Sequence, residues 1–403
     1  MVNVGVFGYG TVGSGVVEVI NQNAEVIRKN VGDSVKVKAI LDLRDFPGDP
    51  YESLIVHDVE NIVGDPEISV ICETMGGVGA ALKFTEMALK AGKSVCTSNK
   101  ELVALHGPRL LELAKENKCN YRFEASVGGG IPIIRPLMNA LTADKLVKVT
   151  GIVNGTTNYM LTKMTANGAD FGDVLKEAQD LGYAELHPEA DVEGFDAARK
   201  LAILSSLIYG KTVNFEDIPT EGITRISAGD IAYAKALKYK VKLLAKYEDA
   251  ESGAYAMVAP FFVGEDNPLY NVDDVFNAIA VRGNMLGDAM FYGKGAGKLP
   301  TASAVVGDVV ECAKNIGVNV PVNWADETVK LSGFEGSKKS FFVRVASDAA
   351  AKARASFDGL TEVKAQSADE YAFITKKMSE KEFAEKTSSF GAEKVLNYIR
   401  IED

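Results

Sequence analysis

The chain has 403 residues, enough for two or three domains, because one hydrophobic core rarely grows beyond about 250 to 300 residues. Its net charge of -11, with lysine and arginine dispersed among acidic residues, disfavours a nucleic acid as partner. No apolar run approaches the roughly 20 residues of a membrane span, and the N-terminus lacks a targeting pattern. We therefore expect a cytoplasmic protein without membrane partners.

Residues 2–7 predict a short buried strand, followed by a glycine turn and an amphipathic helix. Gly8, Gly10 and Gly13 have the G-x-G-x-x-G spacing, which allows a tight turn, close approach of a pyrophosphate and packing of helix on strand. This context predicts a Rossmann domain that binds NAD or NADP. The candidate cofactor-binding residues are Gly8, Gly10, Thr11, Val12, Gly13, Asp42, Arg44, Thr74, Ser98 and Lys100.

The second predicted strand runs to Asp42 and leaves the choice of nucleotide open. A carboxylate at this position can bind the adenosine ribose hydroxyls of NAD, whereas Arg44 could hold the 2'-phosphate of NADP. Two further strands, residues 70–73 and 94–97, end in loops of small or polar residues. Ligands bind at such strand ends, so Lys100 is predicted to lie where the nicotinamide meets the substrate. The alternative is a solvent-exposed lysine at the start of a helix.

Beyond the first domain, two segments predict unusual backbone or polar contacts. Residues 121–137, YRFEASVGGGIPIIRPL, carry three successive glycines, which suit positive φ or the close approach of another group. Residues 148–161 predict a strand that ends in NGTTNY, with hydroxyls and an amide directed at one point. Substrate contacts are one interpretation of that string, and a plain Asn-Gly turn is the other.

The segment 182–200, GYAELHPEADVEGFDAARK, is dense in carboxylates and turns into a predicted helix. Asp196 and Lys200 are four residues apart, so their side chains share one face of that helix. Together with Glu185 and Asp191, this ammonium suits a small zwitterionic substrate whose oxygen must be protonated. The alternative is a solvated acidic loop with a surface ion pair worth about 0.3 to 0.5 kcal/mol.

Six strings in one order carry a resemblance to a known family. They are FGYGTVG, TSNKEL, EASVGGGIPI, NGTTNYML, GYAELHPEADVEGFDAARK and GKGAGKLPTASAVVGD, and they span about residues 1–320. Through them the chain resembles the homoserine dehydrogenase family. The resemblance implies reversible hydride transfer between NAD(P)H and L-aspartate 4-semialdehyde, giving L-homoserine for threonine, methionine and isoleucine biosynthesis.

The resemblance also implies roles for individual residues. Lys200 matches the family's proton donor, Lys100 its second active-site lysine, and Asp196 the carboxylate beside the donor. The implied substrate-binding residues are Glu185, Asp191, Tyr183, Gly155, Thr156 and Lys200. A monovalent cation, usually Na+ in the family, is expected on main-chain oxygens of Glu124, Val127, Gly129 and Ile131.

Three positions depart from the family pattern. Leu186 and His187 stand in a loop where the family often reads Glu-Pro-Asp-Pro, so substrate affinity can differ while the chemistry is kept. Leu41 falls where NADP-preferring members often carry arginine. We therefore expect a slight preference for NAD.

From about residue 338 the pattern is β-α-β-β-α-β, which resembles a small ACT-type regulatory domain. Its first loop has Asp348 but lacks the proline and glycine typical of an effector site, so we expect weak threonine binding or a role in oligomerisation. The expected fold is α/β: a Rossmann domain at residues 1–130 plus about 293–320, an α+β catalytic and dimerisation domain at 131–292, and an ACT-like α+β domain at 338–403. The resemblance implies a homodimer or homotetramer.

Two other classes of function are compatible with parts of the sequence. Cys96, beside the TSNK string, could be the nucleophile of a thiol-dependent semialdehyde dehydrogenase. A cofactor-sensing binding protein on the same folds is the second alternative. Lys100, Asp196 and Lys200 argue against the sensor, which has no use for an acid at the hydride site.

Overall fold

The computed structural model describes residues 1–391 and 393–402. The strands are β1 Val2–Phe7, β2 Val35–Leu41, β3 Ile55–Val56, β4 Ile68–Glu73, β5 Ser94–Thr97, β6 Tyr121–Arg122, β7 Leu146–Ile152, β8 Lys211–Thr212, β9 Tyr239–Ala250, β10 Gly253–Gly264, β11 Phe276–Gly283, β12 Gly287–Lys294, β13 Ala325–Thr328, β14 Lys338–Ala346, β15 Thr361–Val363, β16 Glu370–Ile374, β17 Met378–Ser379 and β18 Val395–Glu402. The helices are α1 Thr11–Gln22, α2 Ala24–Val31, α3 Glu60–Val63, α4 Gly79–Lys90, α5 Lys100–Glu116, α6 Gly155–Asn167, α7 Phe171–Asp180, α8 Glu189–Val192, α9 Phe195–Tyr209, α10 Ala228–Ala236, α11 Lys298–Lys314, α12 Ala350–Ser356 and α13 Glu380–Ser388.

The chain forms two compact units. The first comprises Met1–Ala143, Ala202–Asn214 and Phe291–Val329, and the second comprises Asp144–Leu201, Phe215–Met290 and Lys330–Asp403. Within the described ranges, none of the helices has both the length and the apolar character needed to cross a membrane.

The first unit contains a parallel sheet in the order β3-β2-β1-β4-β5-β6. β1 is buried along its whole length, as expected for a strand at the centre of a parallel sheet. α1 and α11 pack closely at Gly15. An added Cβ at this residue would lie only 2.9 Å from the Lys298 carbonyl oxygen. This strand order is that of a Rossmann fold, which confirms the prediction made from the glycine turn.

The second unit is built on a sheet in the order β12-β11-β7-β9-β10-β18-β14-β16-β15. β10 and β18 run parallel, while the pairs on either side of them are antiparallel. A buried cluster that includes Leu244, Phe261 and Ala278 forms part of its core. β7 leads directly to α6, so the string NGTTNY begins at the end of a strand held between two neighbours.

The C-terminal part of the second unit has the element order β14-α12-β15-β16-α13-β18, with β17 paired to β14. It has a hydrophobic cluster of its own, in which the rings of Phe341 and Phe383 stack with centroids 3.8 Å apart. The β-α-β-β-α-β order read from the sequence is therefore present. Through β18 and β10 its sheet continues into the rest of the unit, which the pattern did not predict because these strands are far apart in the chain.

Candidate active site

The turn after β1 has the backbone shape of a dinucleotide-binding loop. Gly8 has φ +89°, in the left-handed region that favours glycine. A Cβ at Gly13 would overlap the Gly8 carbonyl oxygen, so the start of α1 packs directly on the turn. The space beside Gly10 is open, α1 begins at Thr11, and Val12 packs against the core. The N-terminus of α1 can therefore bind pyrophosphate oxygens.

Asp42 follows β2 and lies beside this turn. One of its oxygens accepts a hydrogen bond from the Tyr9 backbone N–H at 2.8 Å, and Arg44 donates to both oxygens at 3.0 Å. The hydrogen bond from Arg44 is the main reason that the pKa of Asp42 lies below its ordinary value. The two residues predicted as alternatives for the ribose and its phosphate thus form one ion pair, with the Arg44 side chain still 64% exposed.

A buried carboxylate at the end of β4 was missed by sequence reasoning. Glu73 accepts hydrogen bonds from the Met75 backbone N–H at 2.8 Å and from the Thr97 hydroxyl at 2.5 Å. The Thr97 oxygen in turn accepts from the Asn99 N–H at 2.9 Å, and Asn99 caps α5, whose first residue is Lys100. Glu73 therefore connects the loops after β4 and β5. An acidic residue ending the apolar run SVICE is the signal that could have revealed it.

Two further cofactor candidates lie at the same strand ends. The Thr74 hydroxyl lies 2.9 Å from the carbonyl oxygens of both Phe7 and Gly8, so it joins the ends of β1 and β4. Ser98 follows β5, and its backbone N–H donates to the Glu73 carbonyl at 3.4 Å. The structure thus brings Gly8, Thr74 and Ser98 to the carboxyl ends of adjacent strands, where a Rossmann sheet binds its ligand.

Burial raises the pKa of Glu73 to about 7, which predicts a pH-dependent stability. From the ordinary value of 4.5 up to about 7, the folded chain keeps a proton that the unfolded chain has lost. Stability therefore falls as pH rises through this window, by about 3 kcal/mol in total. Glu73→Gln removes the titrating group, so we expect its melting temperature, relative to wild type, to rise steadily from about pH 5 to pH 7.5. A constant difference between the two proteins would contradict this.

The glycine-rich loop after β6 is organised by the Glu124 side chain. This fully buried carboxylate accepts hydrogen bonds from the backbone N–H groups of Ile133, Ile134 and Arg135 at 2.6, 2.9 and 2.7 Å. Arg135 adds a side-chain hydrogen bond at 3.1 Å. Gly129 has φ +56°, and a Cβ there would overlap the Gly295 carbonyl, so the predicted need for positive φ and close approach is confirmed.

The predicted cation ligands lie in this loop. Glu124, Val127, Gly129 and Ile131 are all buried. Among the residues that the structure describes, none donates a hydrogen bond to the carbonyl oxygens of Val127, Gly129 or Ile131. Buried carbonyls normally have a partner, so these oxygens fit a hard cation.

In the second unit, Asp196 and Lys200 lie on one face of α9, as predicted. Lys200 Nζ donates to Asp196 Oδ2 at 2.7 Å and to the Val153 carbonyl oxygen at 2.8 Å. The side chains of Lys200 and Asp196 are only 12% and 5% exposed. The alternative of a solvated surface ion pair is therefore wrong.

Asn154 joins this pair to Asp191, and sequence reasoning did not single it out. Its side-chain amide donates to Asp191 Oδ1 at 2.7 Å and to Asp196 Oδ2 at 2.9 Å. Its side-chain oxygen accepts from the Thr157 backbone N–H at 2.9 Å and so caps α6. The alternative of a plain Asn-Gly turn is wrong, because Gly155 is already the first helical residue.

The other substrate candidates surround the start of α6. The Thr156 hydroxyl donates to the Tyr183 carbonyl oxygen at 2.6 Å, which holds the segment after α7 beside this helix. Tyr183 is 45% exposed, and its ring packs on Tyr159 with centroids 4.9 Å apart. Glu185 is exposed. The structure thus joins Thr156 to the Tyr183 backbone, and Glu185 lies two residues farther along the same segment.

Cys96 does not have the surroundings of a nucleophile. Its side chain is completely buried, and burial raises the pKa of its thiol well above the ordinary value. Its sulfur lies 3.7 Å from that of Cys312, on α11 of the same unit. A reactive cysteine needs an accessible thiolate. The thiol-dependent alternative is therefore wrong.

A Rossmann unit with a formed glycine turn and an aspartate directly after its second strand is typical of NAD(P)-binding oxidoreductases. The family profile described as "Homoserine dehydrogenase, NAD binding domain" matches residues 8–124, and that described as "Homoserine dehydrogenase" matches residues 132–310. The homoserine dehydrogenase of Bacillus subtilis is 43% identical over 326 residues, covering 80% of this chain and 75% of that protein. That of Synechocystis is 45% identical over 318 residues, covering 77% and 72%. The chain belongs to the homoserine dehydrogenase family.

Solved structures of the family agree in fold. A homoserine dehydrogenase from Thiobacillus denitrificans is 35% identical and superposes with a TM-score of 0.89, covering all of this chain and 98% of the other. A hyperthermophilic archaeal homoserine dehydrogenase in complex with NADPH is 29% identical, with a TM-score of 0.66, covering 77% of this chain and 97% of the other.

Proposed function

We propose that Lys200 is the proton donor in reversible hydride transfer between NAD(P)H and L-aspartate 4-semialdehyde, which gives L-homoserine. The observation that carries the proposal is the buried ion pair of Lys200 with Asp196 at 2.7 Å. The second partner of the ammonium, the Val153 carbonyl, is also an acceptor, so the amine donates a hydrogen bond in both contacts. The alkoxide that forms when a hydride adds to an aldehyde is a far stronger base and takes this proton.

The proposed reaction transfers one hydride and one proton in each direction. In reduction the carbonyl carbon gains a hydride and its oxygen gains the proton of Lys200. In oxidation the neutral amine of Lys200 accepts the hydroxyl proton of L-homoserine. The nicotinamide, when bound, supplies or accepts the hydride. Asp196 stabilises the ammonium that exists before reduction and after oxidation.

The two charged ends of the substrate suit different parts of the second unit. We assign the carboxylate to the N-terminus of α6, where the backbone N–H groups of Gly155 and Thr156 and the helix dipole favour an anion. We assign the ammonium to the carboxylates of Asp191 and Glu185, with Tyr183 beside them. In the first unit, the resemblance gives Lys100, at the start of α5, the role of the second active-site lysine.

The arrangement at the end of β2 supports a slight preference for NAD. Asp42 is fixed by the Tyr9 backbone and can accept hydrogen bonds from ribose hydroxyls. Arg44 is engaged by Asp42, so binding a 2'-phosphate would require it to exchange that partner. The remaining nucleotide contacts are assigned to the glycine turn, the start of α1, Thr74 and Ser98.

The reaction and the cofactor preference are tested together by initial-rate oxidation of L-homoserine, followed at the nicotinamide absorbance with NAD and NADP separately. We expect wild-type turnover and a lower KM for NAD. Asp42→Ala should raise the KM for NAD about tenfold, because it removes hydrogen bonds to a charged acceptor. Arg44→Ala is the matched control, which should weaken NADP use and leave NAD kinetics nearly unchanged. No wild-type oxidation with either nucleotide would contradict the proposed reaction.

The glycine-rich loop is proposed to bind a monovalent cation, Na+ by resemblance. The main-chain oxygens of Glu124, Val127, Gly129 and Ile131 would hold it, and its role would be structural. The support for this is the set of buried carbonyls in a loop whose shape the Glu124 side chain fixes.

The C-terminal element order and its separate hydrophobic cluster support an ACT-like module at residues 338–403. The residues after β14 lack the proline and glycine of a typical effector loop, so we propose weak threonine binding or a role in oligomerisation. We further propose a homodimer or homotetramer that works in the cytoplasm in threonine, methionine and isoleucine biosynthesis.

A further inference from the structure

Asn154 occupies the junction between β7 and α6 and is almost fully buried, with 6% of its surface exposed. Its side-chain oxygen accepts hydrogen bonds from the Thr157 backbone N–H at 2.9 Å and from the Thr157 hydroxyl at 3.0 Å. Rotating the amide by 180° would place its NH2 group against that backbone N–H, donor against donor. The cap therefore determines that the NH2 group points away from the helix.

The NH2 group uses its two hydrogens on two different carboxylates. It donates to Asp191 Oδ1 at 2.7 Å and to Asp196 Oδ2 at 2.9 Å, so these oxygens lie less than about 6 Å apart. Asp196 Oδ2 is also the oxygen that holds the Lys200 ammonium. One neutral amide thus stands between the carboxylate assigned to the substrate ammonium and the carboxylate assigned to the proton donor.

We propose that Asn154 is a positioning residue of the reaction, which holds Asp191 and Asp196 side by side and so fixes the substrate relative to the Lys200 proton. The proposal rests on the roles given above to Asp191 and Lys200. Two carboxylates at this separation repel each other, and a donor shared between them offsets that repulsion without adding charge. Because the same residue caps α6, the helix N-terminus assigned to the substrate carboxylate is held in the same frame.

Helix capping alone does not require asparagine here. Aspartate and serine cap helices about as well, since each accepts a hydrogen bond from the backbone. An aspartate at position 154, however, cannot donate hydrogen bonds to Asp191 and Asp196, and it adds a third negative charge beside them. Serine keeps a cap but cannot reach both carboxylates from one atom. The two substitutions therefore separate the capping role from the positioning role.

The experiment compares wild type, Asn154→Ser and Asn154→Asp. The matched control is Asn267→Asp, because Asn267 also caps a helical turn through its side chain, at Leu269. The readouts are melting temperature, nucleotide affinity, and kcat and KM for L-homoserine. We expect Asn154→Asp to lower kcat/KM about 100-fold, through both a higher KM and a lower kcat, since displacement of reacting groups by about 1 Å costs this much. Nucleotide affinity and the control should stay near wild type, and Asn154→Ser should show a smaller loss of the same kind.

A charge exchange gives the second test. The double variant Asn154→Asp with Asp191→Asn again has one amide and two carboxylates at these three positions. Its kcat should therefore recover in part, while its KM for L-homoserine stays high. Wild-type kcat and KM in both single variants would overturn the proposal, and so would a loss that follows only the melting temperature and vanishes on cooling. Absence of wild-type turnover would instead refute the proposed reaction, which the same assay measures separately.

Discussion

Lys200→Ala should lower kcat for L-homoserine oxidation by about 10² to 10⁴-fold, the range that a positioned general acid or base contributes. Alanine removes the only atom of this residue that can carry the proton, while Asp196 and the Val153 carbonyl remain in place. Binding of the nucleotide is assigned to the first unit, so its affinity should stay near that of wild type. Steady-state rates and a fluorescence titration with reduced nucleotide measure the two quantities.

Lys235→Ala is the control for this experiment. Lys235 is an exposed lysine on α10 of the same unit, so its removal tests the loss of a helical lysine without touching the proposed site. Its kcat should be close to that of wild type. A Lys200→Ala protein with nearly normal kcat would show that another group carries the proton.

Asp196→Asn should also reduce kcat, because it removes the charge that stabilises the ammonium but keeps the shape of the side chain. The effects of the two substitutions should not add, since the residues share one hydrogen bond. The cofactor-sensing alternative predicts a different result for wild type: turnover would be absent in wild type as well as in the variants, whereas nucleotide binding persists under both hypotheses.

Local patterns were sufficient for the elements that carry the proposed chemistry. The strand at residues 2–7 and the glycine turn were read from a short apolar run and three glycines, and the structure has β1 at Val2–Phe7. The shared face of Asp196 and Lys200 follows from their spacing on one helix, and only their burial required the structure. Such predictions depend on residues within one or two turns of each other.

Contacts between distant residues could not be read in the same way. Asn154 meets Asp191 and Asp196 from 37 and 42 positions away, and its Asn-Gly dipeptide is equally typical of a turn. The pairing of β10 with β18 likewise joins strands that no local pattern relates. Family resemblance indicated Glu124 only as a candidate main-chain ligand of a cation, and it gave no information on the side chain, whose partners lie in the folded loop.

Of the substitutions proposed for this protein, Glu124→Ala is expected to cause the largest loss of stability. The buried carboxylate of Glu124 accepts three backbone hydrogen bonds and one from the Arg135 guanidinium. Alanine leaves these donors without their acceptor, and breaking a buried charge pair in this way costs about 3 to 5 kcal/mol. For a unit of this size, the melting temperature should fall by about 10 °C in thermal unfolding.

Glu112→Ala is the matched control, because Glu112 pairs with Lys115 at 3.1 Å on the exposed face of α5. A surface pair of this kind contributes about 1 kcal/mol or less to the free energy of unfolding, so the melting temperature of Glu112→Ala should be close to that of wild type. Equal shifts in the two variants would contradict the role given to the buried carboxylate.

The proposed cation is tested with wild type, Glu112→Ala and a further variant, Glu124→Gln. If the carbonyls of the loop bind Na+, replacing choline chloride by sodium chloride at equal ionic strength should raise the melting temperature of wild type and of Glu112→Ala, because a ligand that binds only the folded chain stabilises it. In Glu124→Gln the loop loses part of its hydrogen-bond frame, since an amide cannot accept from all four donors. The sodium-dependent shift should therefore shrink in that variant. A sodium effect of equal size in all three proteins would place the ion elsewhere, while its absence in wild type would remove the support for a cation in this loop and leave Glu124 as an organiser of the backbone alone.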